Sequence, residues 1–520
     1  MLELKHFMKY KYFLIILIFT QSCYKEDFDP HYKNLIKRNE LTSFSLEVQN
    51  NPSRIREDVN FTIEHNKITA FIPYYLQKDS LVATFTTNGE NVYLNDILQI
   101  SGETINDFTK PVTYIVEAKD GTRQGYILDL VIFTKLPILH INTKDKQAKI
   151  TKEDYIEGEF LLDPNDIHEY HHSGELGIRG RGNSTWLMPK RPYRLKLAKN
   201  IGMLRMPADK DWVLLANYSD KTLMRNSLAF EMSKRFKLSF TPKSRFIELF
   251  VNGEYQGNYL LAEQIKVADE RVNIKSLEFE DISENKISGG YLLEVNVRVD
   301  ADYYFHTLQK NVAFTIKSPG NIVPEQLEYI ENFINQVENS IYSEDFSDPE
   351  LGYRKFINVE SFINWFLVNE IAKNNDAFFV NSVFFYKNRG EKLNMGPVWD
   401  FDIALGNIYY NGNDKPEGWW VKNCRWFEKL FEDPNFTRRL KNRWNELKHE
   451  EIDTLPEYIE KISTELEYSQ KYNFERWDIL NKNVWPNTVV IGSYKGEVQY
   501  LKEWLEKRIN WMDAQINANF

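Results

Sequence analysis

Between Leu41 and about Ile132 the apolar residues fall at every second position. Phe44, Leu46 and Val48 alternate with polar neighbours, as do Tyr126, Leu128, Leu130 and Ile132. A period of two turns one side of a segment inward and leaves the other in water, which predicts half-buried strands. The triplet Lys119-Asp120-Gly121 marks a turn between two of them. Short strands at this spacing predict a small all-β, Ig-like sandwich over residues 41–133.

From Leu136 the texture changes. Mixed strands run to about residue 316, and helical periodicity dominates beyond it. Across Val359 to Lys373, Phe362 with Phe366 and Trp365 with Asn369 recur at helical spacing, with Asn358 placed to cap the first turn. Phe436, Leu440, Trp444 and Leu447 mark a second amphipathic helix. Aromatic stripes of this kind read as core. A β-rich first lobe to about 316 followed by a helical second lobe predicts an α+β domain over residues 134–520.

Charge and the N-terminus add to this picture. A formal net charge of -10 argues against non-specific nucleic-acid binding. Lys5, Lys9 and Lys11 precede the apolar run Phe13–Phe19, and Thr20-Gln21-Ser22-Cys23 follows it. A basic start, a short apolar core and a small residue before cysteine predict a secretory leader over residues 1–22. The pattern resembles a bacterial lipoprotein signal, which implies lipidation at Cys23, a linker over 23–40 and membrane attachment through the lipid. Lys25-Glu26-Asp27 resembles the export tags of surface lipoproteins, implying the cell envelope, outer membrane or surface, of a Gram-negative bacterium. The sandwich resembles the modules that often follow such signals. With Cys23 lipidated, Cys424 has no intrachain partner, which excludes a disulfide scaffold and a cysteine-rich zinc site.

Four segments carry candidate chemistry. In "GIRGRGNSTWLMPKRPYRLKL", Gly177, Gly180 and Gly182 stand beside Asn183, and a basic strand bearing Arg194 and Lys196 follows. Glycines let backbone N–H groups approach an anion, and cations behind them neutralise it. No Gly-Lys-Ser/Thr completes a Walker loop. In "NYSDKTLMRNSLAFEMSKRF", Ser219 or Asp220 caps a helix with Arg225 and Glu231 as its interior-looking charges, for which a solvated face is an equal account. A hairpin around Val251-Asn252-Gly253-Glu254 ends in Glu263-Gln264. Lastly, Asp376 and Asn381 precede a hairpin that turns at Asn388-Arg389-Gly390 and returns to Asp400-Phe401-Asp402. Protein kinases use an Asp to accept the acceptor-hydroxyl proton and an Asn with a second Asp to hold Mg²⁺, and magnesium takes oxygen ligands. His168, Glu169, His171 and His172 fit neither His-Glu-x-x-His nor a zinc finger and read as a solvated loop.

The segments "GIRGRGNSTW…KRPYRLKL", "DWVLLANYSDKTLMRNSLA", "NGEYQGNYLLAEQI", "GGYLLEV" and "MGPVWDFD" together resemble the spore-coat protein H (CotH) kinase family over roughly residues 136–450. The resemblance implies an atypical, two-lobed protein-kinase-like fold that binds ATP with Mg²⁺ (or Mn²⁺). It further implies transfer of the γ-phosphate to Ser, or another hydroxyl, of a surface or secreted protein. Carried over, Asp376 becomes the active-site Asp, and Asp400 with Asp402 and Asn381 the metal-holding set. Lys196 becomes the phosphate-contacting lysine, with Arg194 and Lys190 as rivals, and its acidic partner is Glu231 or Glu263. Gly180, Gly182 and Asn183 would cradle the nucleotide. His-Arg before Asp376 and glycine after Phe401 are missing, which leaves the base role of Asp376 open. Two other classes compete: a surface-anchored scaffold with a degenerate kinase-like fold, and a glycan hydrolase built on a pair of carboxylates.

Overall fold

The computed structural model describes residues 39–166, 168–299 and 301–520. Cys23 and the leader expected before it lie outside the described residues. Leu41–Leu46, Val59–Asn60 and Thr84–Thr87 form a three-stranded sheet. A six-stranded sheet built around Lys67–Ile72, Asn91–Leu94, Val112–Glu117 and Arg123–Ile132 faces it. The alternation along the chain becomes burial: Phe44 and Leu46 of one sheet meet Tyr114, Leu128 and Leu130 of the other in a shared core. The rings of Phe44 and Tyr114 meet edge-on at 5.1 Å, a favoured aromatic geometry.

The next seven strands close into a barrel. They are Ile138–Thr143, Ile156–Asp163, His172–Gly180, Tyr193–Ile201, Asp209–Leu215, Ser244–Val251 and Glu254–Glu263. Parallel pairing of Ile138–Thr143 with Ser244–Val251 completes the ring, which leaves no open edge. Inward residues such as Leu139, Phe160, Leu195 and Trp212 fill the interior, making it a packed core rather than a channel. The hairpin expected at Asn252-Gly253 forms with φ of 52° and 80° at those residues, the type I′ values that Asn-Gly favours.

A further sheet, after the barrel, has five strands in the spatial order Tyr304–His306, Ala313–Ser318, Tyr291–Val295, Val383–Lys387 and Asn394–Met395. The last two come from beyond residue 316, so strand-rich and helical parts of the chain interleave in space. Helices Pro324–Tyr342, Val359–Ala372, Pro434–Leu447 and Tyr494–Asn519 supply apolar faces to the largest core. Trp365 stacks on Phe427 at 5.9 Å within it, and Phe436, Leu440, Trp444 and Leu447 are all buried. Asn358 precedes its helix, but its amide bonds Asn394 Oδ1 at 2.8 Å and does not cap the backbone. Cys424 is buried and unpaired, and burial pushes its thiol up. Among the described residues no helix is long and apolar enough to cross a membrane.

The helix expected after Ser219-Asp220 is Arg225–Arg235. Asp220 Oδ2 accepts the Arg225 backbone N–H at 2.8 Å, and Oδ1 accepts its guanidinium at 2.5 Å. Both side chains are buried, so a solvated face does not account for Arg225. Arg225 Nε and Nη2 also donate to the carbonyls of Ala404 and Leu405, at 3.1 and 3.3 Å. Glu231, by contrast, pairs with Arg235 and Lys234 of the same helix.

Candidate active site

A cavity of about 360 Å³ opens between the barrel and the five-stranded sheet, a size that suits a small ligand. Its acidic wall forms at the two ends of the hairpin Val383–Lys387/Asn394–Met395. On entry, Asn374 Oδ1 accepts the Asp376 N–H at 3.3 Å. The Asp376 carbonyl accepts the N–H groups of Val380 and Asn381 at 3.1 and 3.4 Å. One tight loop thus presents both Asp376 and Asn381. On exit, Asp400 adopts φ of 67°, a left-handed conformation sparsely populated outside glycine. Phe401 N–H then donates to Asn226 Oδ1 at 2.8 Å, fixing the chain between Asp400 and Asp402. All four polar residues, Asp376, Asn381, Asp400 and Asp402, line the cavity.

The carboxyls are electrostatically strained. Burial pushes Asp402 well above the usual carboxylate range, and the charge of Asp400 pushes it further. Asp400 is also raised by burial, while the Arg181 guanidinium and a hydrogen bond with Asp402 pull it down. Burial, then the charge of Asp400, pushes Asp376 up to about 7. Deep acidic groups gathered like this mark functional sites more often than they serve stability.

Cations face them. Arg181 projects from the loop after His172–Gly180, with its guanidinium carbon 5.4 Å from the Trp399 ring centre. Arg194, Arg298 and Lys317 line the same space. Arg194 reaches Asp211 at 3.6 Å, and Lys317 reaches Glu294 at 3.1 Å. Gly182 has φ of 81°, and a Cβ there would sit 2.3 Å from Thr185 Oγ1. The loop therefore needs glycine at 182.

Gly182, Asn183, Arg194, Asp376, Asn381, Asp400 and Asp402 are brought together at this cavity. Five other expected residues are placed differently. Lys196 is exposed and does not line the cavity: strand alternation puts it on the side of Arg194 but about 7 Å farther along. Lys190 lines the cavity, but its ammonium turns away to donate to Asn258 O and to Asn473 Oδ1, the latter at 2.8 Å. Burial pushes it down to about 7. Glu231 is spent on its own helix. Glu263 is buried on the other side of its strand, 3.1 Å from Arg271, while the next residue, Gln264, lines the cavity. Gly180 packs instead: a Cβ there would lie 2.3 Å from the Trp186 ring. In the histidine cluster, His171 stands between Glu57 at 3.1 Å and Asp163 at 3.3 Å, joining sandwich to barrel.

Arg181, Arg298 and Lys317 escaped the sequence reading. The repeat Arg179-Gly180-Arg181-Gly182 held a signal for the first. Nothing local marks the other two.

Does the set suit Mg²⁺ and ATP? Among the described residues no group of three or more His, Cys, Asp or Glu gathers as a ready-made metal cage. Asn381 Oδ1, however, is buried without a hydrogen-bond partner. An orphaned amide oxygen on the same cavity wall as two carboxylates is an all-oxygen donor set, and Mg²⁺ is commonly held by one or two carboxylates together with water and substrate phosphates. The residues fit.

Residues 178–512, more than half of the chain, match the family model described as CotH kinase protein. Residues 43–129 match the one described as SGBP, N-terminal. None of the curated proteins matches. Among solved structures, a DUF4623 family protein from Bacteroides eggerthii is 8% identical, with a TM-score of 0.15, over 34% of this chain and 49% of that one. The chain thus spans about half the length of that relative. A putative glycoside hydrolase from Bacteroides thetaiotaomicron is 12% identical, with a TM-score of 0.16, over 57% of this chain and 88% of that one. Likeness this slight carries no argument about fold or activity.

Proposed function

The chain belongs to the CotH kinase family, and we propose that it is an active, surface-associated protein kinase. In this reading it breaks the bond between the β- and γ-phosphates of Mg-ATP, moves the γ-phosphoryl group to a Ser or other hydroxyl of a surface or secreted protein, and releases ADP. The barrel and the sheet-and-helix body act as the two lobes of a kinase-like domain, tethered through a lipid on Cys23. One observation carries it: Asp376, Asn381, Asp400 and Asp402 share a single cavity with Arg181, Arg194 and Lys317.

Bound there, Mg-ATP supplies the phosphoryl group and neutralises the charge on its own oxygens. The chain does the rest. Asp400, Asp402 and Asn381 would offer oxygens to the metal, and Arg181, Arg194 and Lys317 would neutralise the phosphates. Asp376 takes the proton from the acceptor hydroxyl, a role suited to a carboxyl held near neutrality. The match to an SGBP N-terminal model supports surface association.

The test incubates the full chain with labelled ATP, Mg²⁺ or Mn²⁺, and dephosphorylated casein. Incorporation that disappears in Asp376→Asn supports the reading. Absence of incorporation, together with a melting curve unmoved by Mg-ATP, sinks it and leaves a surface scaffold. Ligand at a hundred times its Kd should add about 2.7 kcal/mol.

A further inference from the structure

The segment after Asp402 is held in place with unusual thoroughness. Lys373 ends the helix Val359–Ala372 in a left-handed turn, φ 43°, three residues before Asp376. Its buried ammonium donates to three carbonyls of one loop: Gly412 at 2.9 Å, Lys415 at 3.0 Å and Glu417 at 2.8 Å. Arg508 donates to the carbonyls of Pro416 and Gly418 at 2.8 and 2.7 Å. Trp504 Nε1 donates to Asp414 O at 2.7 Å. A buried cation amid carbonyl oxygens is well satisfied, and removing it leaves those oxygens orphaned.

The same loop is tied to the base. Asn411 Nδ2 donates to Asn375 Oδ1 at 2.8 Å, next to Asp376. Trp420 Nε1 donates to Asn374 O at 2.9 Å, and its ring packs on Phe378 at 4.6 Å. Tyr410 lies close enough to feel the charges of Asp376 and Asp402. Tyr409 meets it edge-on at 5.4 Å and is 60% exposed. Tyr409 thus presents a large ring to solvent from a loop that is pinned from within.

We propose that residues 406–420 form a preassembled docking ledge for the acceptor, an extended peptide that lies against Tyr409 and Tyr410 and delivers its hydroxyl to Asp376. Any acceptor must reach Asp376, and this loop is bonded to the two residues that precede it. Tyrosines give wide contact at low entropic cost, with a hydroxyl that can meet a peptide backbone. In many protein kinases the activation loop is ordered only when phosphorylated, through new Arg–phosphate pairs. Here Lys373 and Arg508 hold the segment after the metal-binding Asp from within, so no activating phosphorylation is needed. The inference rests on the phosphotransfer reading above.

The test measures Mg-ATP affinity by calorimetry and phosphorylation of dephosphorylated casein by the full chain and its variants. Tyr409→Ala, on an exposed side chain, should raise the KM for casein about tenfold, as loss of one aromatic anchor does, with the Kd for Mg-ATP held within about twofold. Lys373→Met should speed amide hydrogen exchange in 411–418 and raise the casein KM, and Lys373→Arg should restore both. An unmoved casein KM in Tyr409→Ala and in Tyr409→Ala/Tyr410→Ala overturns the ledge, as does unchanged exchange in Lys373→Met. Transfer to an oligosaccharide but not to casein overturns the peptide assignment, as does Mg-ATP binding without transfer to either. Failure of the unmodified chain to bind Mg-ATP removes the underlying reading instead.

Discussion

Asp376 and Asp400 enter one cavity from opposite ends of a hairpin, and the charge of Asp400 adds to burial in holding the Asp376 carboxyl at about 7. A general base must be deprotonated to act. Below that pH, Asp376 would already carry the proton that the proposed base role asks it to accept.

Asp376→Asn keeps the shape and removes the basicity. It should lower kcat by about 10²- to 10⁴-fold, the usual contribution of a positioned general base, with Mg-ATP affinity preserved. Single-turnover phosphate transfer beside calorimetric nucleotide titration checks both halves.

The raised carboxyls make stability depend on pH in a definite direction. For Asp376 the folded value is about 7 and the ordinary one 3.8, so the folded state binds more protons between them. Metal-free protein should therefore be most stable at the low end of that window and lose stability as pH rises through it. Mg²⁺ should reverse the slope, because binding requires the deprotonated carboxyls. Melting curves at pH 5 and pH 8, with chelator and with Mg²⁺, read this out. Asp402→Asn should flatten the chelator series.

Arg194 lines the cavity and Lys196 does not, so the pair tests where the phosphates would lie. Arg181→Gln and Arg194→Ala should each raise the KM for ATP by about tenfold or more, the scale of one lost charge-assisted hydrogen bond. Lys196→Ala, outside the cavity, should leave it unchanged. Steady-state kinetics at fixed acceptor decides. Equal effects at 194 and 196 would mean that the phosphates lie farther along the strand.

Arg225 tests the framework behind the acidic wall. Arg225→Leu leaves Asp220 buried and unpaired, which should cost about 3–5 kcal/mol in urea denaturation. Replacing Asp220 by Leu as well should recover part of that loss.

Much of this could be read along the chain because it is local. Alternation at Phe44, Leu46, Leu128 and Leu130 gave the sandwich, and Asn252-Gly253 gave one hairpin of the barrel. Asp376, Asn381, Asp400 and Asp402 could be grouped because one hairpin joins their ends. Other features depend on distance in space. Alternation assigned Lys196 a face but not a position along its strand, and one residue of register separates buried Glu263 from cavity-lining Gln264. Lys317 reaches the site because Ala313–Ser318 pairs with Tyr291–Val295, a relationship no short segment states.

The left-handed backbone at residue 400 bears on how its role should be probed. Alanine there would delete a charge and also place a side chain with no local polar compensation where L-residues are penalised by roughly 1–2 kcal/mol. Asparagine, which tolerates that region much as aspartate does, separates the two effects. A dead alanine variant would report on conformation and electrostatics together, whereas a dead asparagine variant would report on electrostatics alone.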